Sequence, residues 1–334
     1  MNQKSIIQTP LYQSSLHDSA YQHVSGTAIY VDDMPAPARM LHAQVFTSTH
    51  ALARIEKLDI NRALQIDGVH DVLVAADIIG INDIAPFTHD EPLLAEDHVY
   101  TTGQGIALVV AETPQLCRDA IKAIEIEYHN LQEQAVMTVR EAVAQESYHG
   151  TPHIMQRGDL EKGLSEAPLY FEGEIDTGAQ DHFYLETQCA LVLPLEQNSF
   201  HVYSSTQHPS EVQAKVAEVL DIGCHQVVVE TKRMGGGFGG KETQGAHYAA
   251  LAALAASRTQ RPVKIWLNRD QDMSMTGKRH PFYSRYRAGF DKDGNILALD
   301  VFTVSNAGWA CDLSGAILDR CLFHLDNPYY IPCI

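Results

Sequence analysis

Five glycines in six positions, Gly235, Gly236, Gly237, Gly239 and Gly240, separate the β-branched run "HQVVVETK" from the helix-like "ETQGAHYAALAALAAS". A strand, a glycine loop and a helix in succession is a setting in which α/β proteins place ligands. Glycine permits positive φ and lets main-chain N–H groups come closer to a ligand than any residue with a Cβ allows. On spacing alone the loop is either a ligand loop or a tight structural turn.

Two phosphate-binding templates come close. Counted from Gly235 the stretch satisfies G-x-x-x-x-G-K, but Glu242 then stands where a P-loop needs Ser or Thr to hold magnesium. A carboxylate there repels a triphosphate and removes the hydroxyl ligand of the metal. Gly235, Gly237 and Gly240 also satisfy G-x-G-x-x-G. The acidic residue that should follow at about 20 positions is missing, because "LAASRTQRPVKI" holds none and the first is Asp270.

The chain has 334 residues, enough for about two domains with large cores. Lys plus Arg number 24 against 42 Asp plus Glu, a net charge of −18. Such a surface repels nucleic acid and anionic membrane, which are therefore excluded as main partners. The opening "MNQKSIIQTPLYQSS" is polar, without the apolar core of a signal peptide, and no run approaches the roughly 18 apolar residues of a membrane span. A cytoplasmic protein is expected. The six cysteines form no C-x-x-C pair and are expected to be free and mostly buried. Cys321-x-x-His324 has no second half for zinc, and the sequence holds neither H-E-x-x-H nor G-x-S-x-G.

A lead is expected over residues 1–20, then a small α/β domain over residues 21–135 carrying the strands "MLHAQVFTS", "GIALVVAE" and "IEIEYH" and the amphipathic helix "TPQLCRDAIKAIE". Residues 136–165 are polar, interrupted by Gly and Pro, and read as a connecting segment. Residues 166–334 string together "FYLETQCALVLP", "SFHVYSS", the helix "PSEVQAKVAEVLD", "QVVVETK", the glycine loop, an Ala-rich helix, "PVKIWLN", "YSRYRAGFD", "ILALDVFTVSN" and a helix over "SGAILDRCLFHL". The fold class is mixed α/β. The final "NPYYIPCI" is apolar and strand-like, an ending that needs further chain or another polypeptide to cover it.

Four segments in order carry a resemblance: "GAQDHFYLETQ" (Gly178 to Gln188), "SSTQHP" (Ser204 to Pro209), "KRMGGGFGGKET" (Lys232 to Thr243) and "DLSGAILDRCLFHLDNPYYIP" (Asp312 to Pro332). Together they resemble the molybdenum-cofactor subunit of the xanthine dehydrogenases, in the xanthine oxidase family of molybdenum hydroxylases. The likeness runs from about His23, through "GTAIYVDDMP" and "THDEPLLAEDHVYTTGQGIALVVAET", to the last residue. It implies a hammerhead-like first domain followed by the first, incomplete part of a molybdopterin-binding domain. The glycine loop then passes against the molybdenum centre.

The resemblance also assigns roles. Gln207 lies between a strand and Pro209, a favoured first helical residue, and its amide would bond an oxygen on molybdenum; otherwise it is an exposed loop glutamine. Phe238 and Gly239 would bring backbone N–H groups to the same centre, Phe238 being otherwise a loop aromatic that fills a gap. Glu242 would bond the purine substrate, although an acid in the first turn of a helix is explained by the helix dipole alone. Arg320, on a helix read as capped by Ser314, would stabilise charge developing on a purine oxygen; without the resemblance it is a surface arginine. The pair favours purine over the aldehydes of the related aldehyde oxidases. Gln207, Phe238, Glu242 and Arg320 are expected at loops or helix starts that follow strands.

The implied reaction is hydroxylation of hypoxanthine to xanthine and of xanthine to urate at molybdenum–molybdopterin, with oxygen from water. The chain has no cysteine cluster, so iron–sulfur clusters and FAD are expected on a partner subunit, with NAD as electron acceptor. The family's general base is a glutamate near the end of a longer chain. This chain is therefore expected to be inactive without a C-terminal continuation. Two alternatives stay open: a nucleotide-binding module built on Gly235 to Gly240, and a cofactor-free interaction fragment.

Overall fold

A computed structural model describes residues 16–334. The opening "MNQKSIIQTPLYQSS" and most of the expected lead over residues 1–20 lie outside the described residues. The first part of the chain runs α1 (Ala20–Ser25), β1 (Leu41–Thr47), β2 (Ala53–Asp59), α2 (Asn61–Leu64), β3 (Val69–Val74), β4 (His98–Val99), β5 (Gly105–Ala111), α3 (Pro114–Ala123) and β6 (Glu125–Asn130). Then come α4 (Val139–Ala144), α5 (Leu160–Glu166) and β7 (Leu169–Thr177). The remainder is β8 (Cys189–Leu195), β9 (Ser199–Ser204), α6 (Pro209–Leu220), β10 (Val227–Glu230), α7 (Gln244–Thr259), β11 (Val263–Trp266), α8 (Arg269–Met275), β12 (Phe282–Phe290), β13 (Ile296–Ser305) and α9 (Ser314–Phe323). Among the described residues no helix is long and apolar enough to cross a membrane.

Seven strands form one sheet in the order β10-β9-β8-β11-β1-β5-β3, flanked by the three-stranded sheets β13-β12-β7 and β4-β2-β6. β1 pairs in parallel with β11, Leu41 opposite Val263 and Ala43 opposite Ile265, so strands from both parts of the chain share the sheet. β5 is buried at all seven positions because both its faces are covered, and it accordingly reads as an unbroken apolar run. Val109 and Ala111 pack with Cys117 and Ala120 of α3. Leu108 and Val110 join the main core, which α6 and α7 also enter. The Thr113 hydroxyl caps α3 by accepting from Leu116 N at 3.2 Å, and Pro114 opens the helix where a missing N–H costs nothing. In α7 the residues from Tyr248 to Ala256 are buried without exception, and its alanines leave room for close contact with α6, β8 and β11.

The mixed α/β architecture follows the sequence reading, with differences of detail. "FYLETQ" is loop: β8 starts only at Cys189, and Gln188 N donates to Asp272 Oδ2 at 2.8 Å instead of to a neighbouring strand. "NPYYIPCI" forms a single bridge, Cys333 beside Ala298, and otherwise coil. β2, β3, β4 and β7 escaped the sequence reading; β7 is exposed at eight of nine positions, so no alternation marks it. The cysteines are all free, but only Cys117 and Cys189 are buried.

Leu251, wholly buried in α7, gives a direct test of the core. Leu251→Ala should lower the unfolding free energy by about 2–5 kcal/mol in urea titration. Lys122→Ala, on the solvent side of α3, should stay within about 0.5 kcal/mol of the parent.

Candidate functional site

The glycine loop connects β10 to α7, and its conformation is set by what presses on it. A Cβ on Gly237 would lie 2.6 Å from Gln207 Oε1. Gly239 takes φ 93°, in the left-handed region, and Phe238 before it is forced to φ 56° with its ring 75% exposed.

Gln207 follows β9 and precedes Pro209, the first residue of α6, as the sequence indicated. Its Oε1 accepts from the N–H groups of Gly239 (2.9 Å) and Lys241 (3.2 Å), and its own N–H donates to the Lys241 carbonyl at 2.8 Å. The Lys241 carbonyl also accepts from the Thr206 hydroxyl at 3.1 Å. With Oε1 doubly occupied, the amide NH2 of this exposed residue is left as an outward donor. The Gly239 N–H is therefore engaged by Gln207. The Phe238 N–H has no partner among the described residues.

Glu242 is exposed and lies two residues ahead of α7, not in its first turn. Arg320 sits in the last turn of α9, exposed and without an ion pair among the described residues, so it does not follow a strand directly. Nor does Ser314 cap α9: it is the first helical residue, and its hydroxyl meets His280 Nε2 at 2.7 Å. What joins the two elements is Asp312, whose Oδ2 accepts from the Thr243 hydroxyl at 3.1 Å. The structure thus gathers Gln207, Phe238, Gly239 and Glu242 on one loop system and ties the start of α9 to it. Arg320 lies six residues beyond Ser314 at the start of α9, about 9 Å along the helical axis, and forms no ion pair with Glu242 among the described residues. A concavity of about 120 Å³ beside Gln44 and Trp266 and a smaller one beside Tyr30 and Arg233 are lined by other residues.

The start of α9 is acidic. Asp90 Oδ2 accepts from Cys311 N at 2.9 Å. Burial, with Glu211, Glu242 and Asp90 nearby, pushes the Asp312 carboxyl up to about 6 against the pull of Thr243. Burial, reinforced by Asp312, Asp90 and Asp83, pushes Glu91 up to about 8.

Sequence reasoning missed Lys241 as a structural element. Its side chain is 0% exposed, with Nζ 2.6 Å from Ser205 Oγ and 3.2 Å from Glu186 Oε2. A P-loop lysine must reach an open phosphate site. This one points into the protein, which removes the phosphate-binding reading of the loop. The only sequence signal was the presence of both Glu186 and Lys241 in the resembling segments.

Unpartnered donors at Gln207 and Phe238, with no cluster of three or more His, Cys, Asp or Glu among the described residues placed to hold a metal ion, suit a group that brings its own metal ligands. The molybdopterin cofactor-binding domain matches residues 142–334, and the a/b hammerhead domain of aldehyde oxidase and xanthine dehydrogenase matches residues 25–132. The chain belongs to the molybdopterin cofactor-binding domain family. It is 44% identical to a xanthine dehydrogenase of Dictyostelium discoideum over 97% of this chain and 24% of that one. It is 41% identical to the xanthine dehydrogenase/oxidase of Rattus norvegicus over 95% of this chain and 24% of that one. The aldehyde oxidoreductase of Desulfovibrio gigas superposes with a TM-score of 0.77 at 28% identity, covering 86% of this chain and 34% of that one. Quinoline 2-oxidoreductase of Pseudomonas putida 86 does so with 0.75 at 25% identity, covering 88% and 39%. The chain spans about a quarter of the length of the curated relatives it matches.

Two measurements probe this site. Gly237→Ala should drive the Gln207 side chain from its place and speed amide exchange across residues 235–241 at least about tenfold. Separately, Glu91 and Asp312 have folded pKa values above their unfolded ones, so their contribution to stability is complete below about pH 4 and is lost as pH rises through about 6 and then about 8. The melting temperature should fall between about pH 4 and about pH 8, and Glu91→Gln should flatten that slope.

Proposed function

We propose that this chain is the part of a purine-hydroxylating molybdenum enzyme that presents Gln207 and the glycine loop to a molybdenum–molybdopterin group and contributes Glu242 and Arg320 to purine recognition. The observation that carries the reading is the Thr243–Asp312 hydrogen bond of 3.1 Å, which ties the loop bearing Glu242 to the helix bearing Arg320. It is supported by the identity to xanthine dehydrogenases across nearly the whole chain.

When bound, the molybdenum–pterin group supplies the redox chemistry that places a water-derived oxygen on a purine ring carbon. The chain's residues then have separate tasks. The Gln207 amide, held by Gly239 and Lys241, donates a hydrogen bond from a fixed position. The Phe238 N–H is a second donor on the same loop. Glu242 accepts from a purine N–H. Arg320 places a guanidinium where a purine oxygen gains negative charge, an interaction that strengthens as the barrier is approached. The general base, the iron–sulfur and flavin centres and the NAD site belong to parts of the assembly outside this chain, and the setting is cytoplasmic. A hammerhead-like domain over residues 21–135 and a cofactor-binding domain over residues 166–334, joined by residues 136–165, is the division of labour within it.

In the assembled enzyme, Arg320→Met should lower kcat/KM for xanthine by roughly 10²–10³, the loss of one transition-state donor. An aromatic aldehyde, which lacks the oxygen that Arg320 addresses, should lose far less. Equal losses for both substrates would mean that Arg320 supports fold or cofactor and would sink the purine assignment. An assembly that carries no molybdenum or pterin on analysis would leave an interaction fragment as the better reading.

A further inference from the structure

The hydrogen bonds that orient Gln207 go to the backbone of Lys241 and of Gly239, two residues before it. The Lys241 N–H donates to Gln207 Oε1, and the Lys241 carbonyl accepts from Gln207 N and the Thr206 hydroxyl. The side chain of the same residue turns the other way, into a site with no access to water. Its ammonium lies 3.2 Å from Glu186 Oε2, 2.6 Å from Ser205 Oγ and 4.5 Å from the centre of the Tyr184 ring.

One carboxylate oxygen, Glu186 Oε2, holds both ends of the loop. It accepts from Gly235 N at 2.7 Å where the loop begins, from Lys241 Nζ where it ends, and from the Ser205 hydroxyl at 2.6 Å two residues before Gln207. Gly235 permits this approach, since a Cβ there would lie 2.5 Å from that of Glu186. A second set of bonds backs the first: Gln188 Nε2 donates to the Gly240 carbonyl at 2.9 Å and to the Tyr184 hydroxyl at 3.0 Å, and that hydroxyl donates to Asp272.

We infer that Lys241 and Glu186 are positioning residues: their buried ion pair closes the glycine loop into a fixed ring and thereby sets the direction of the Gln207 amide NH2. A surface lysine at this place would leave the ends of a five-glycine loop free to separate, and glycine-rich backbone has more conformational freedom to lose than any other. A buried ion pair is weak evidence of a stability role, because well-packed apolar residues of similar volume frequently replace one without loss. It is suited to fixing a geometry, because one carboxylate oxygen, Glu186 Oε2, takes donors from both ends of the loop and from Ser205 at once, while Oε1 is buried without a partner among the described residues.

The inference deepens the proposed function and rests on its reading of Gln207, so the test separates the two. Amide exchange of the full chain without cofactor is compared for the parent, Lys241→Met, and the double variant Glu186→Gln with Lys241→Met, whose neutral side chains leave no buried charge unpaired. Exchange across residues 235–241 should rise at least about tenfold in both, with β5 and α3 unchanged. In the assembled enzyme the double variant should keep its cofactor content and its KM for xanthine while kcat falls roughly ten- to a hundredfold, as Gln207→Ala should also make it fall. If Lys241→Met alone does not fold, the double variant carries the test. Parent-like loop exchange in a folded double variant overturns the inference. Fast loop exchange together with parent-like turnover in both the double variant and Gln207→Ala supports the positioning role and removes the functional reading of Gln207 instead.

Discussion

Parallel pairing between β1 and β11 is the contact on which the rest of the molecule depends. It joins strands more than two hundred residues apart, and on either side of it the sheet continues antiparallel, through β5 and β3 in one direction and β8 and β9 in the other, where β10 then adds to β9 in parallel. Because the sheet is continuous there, one apolar core extends from Leu73 and Leu108 of the first part to Leu251 and Val216 of the second. The hammerhead segment and the cofactor-binding segment are therefore physically one body at this seam. Separating them would expose Leu41, Ala43, Val263 and Ile265 together.

The site uses the two open connections at one end of this sheet. β9 leads through Ser204, Ser205 and Thr206 to Gln207 and α6, and β10 leads through the glycine loop to α7. β9 and β10 are parallel neighbours, so both connections leave from the same edge, where α/β sheets gather ligand groups. Their backbones can touch because glycine stands where a side chain would collide with Gln207 or Glu186. The result leaves donors facing outward and carboxylates collected behind, at Asp90, Glu91 and Asp312. That acidic layer also ties the first part of the chain to the start of α9 through Asp90 and Cys311.

Elements with a strong period or a full apolar run were legible in the sequence. β5, α3, α6, α7 and β11 all lie where their residues indicated, because burial on one or two faces imposes the pattern that sequence reading detects. β7 and β2 were not, since exposed or charged strands of small sheets carry no such imprint. The loop over Phe183 to Gln188 looked like strand because its residues are apolar and aromatic, yet its main chain answers to Gly235 and Asp272. At the site, the segments bearing Gln207, Phe238, Gly239, Glu242 and Arg320 could be picked out, but not the partners that orient them. Lys241 matches the lysine position of a phosphate-loop template that Glu242 already argues against, and its burial against Glu186 is a tertiary fact that the template does not encode.

By itself the sequence determined the class of fold, the strand–glycine loop–helix unit and the residue types offered to a ligand. These depend on local backbone freedom and on periodic burial, which neighbouring letters record. Tertiary structure alone decided which atoms those residues present: that Gln207 turns its oxygen inward and its NH2 outward, that the Gly239 N–H is engaged, and that Arg320 stands at the far end of its helix from Asp312. Such choices are made by contacts between segments dozens of residues apart, where a difference of one hydrogen bond selects between two orientations of the same side chain, and no local pattern encodes it.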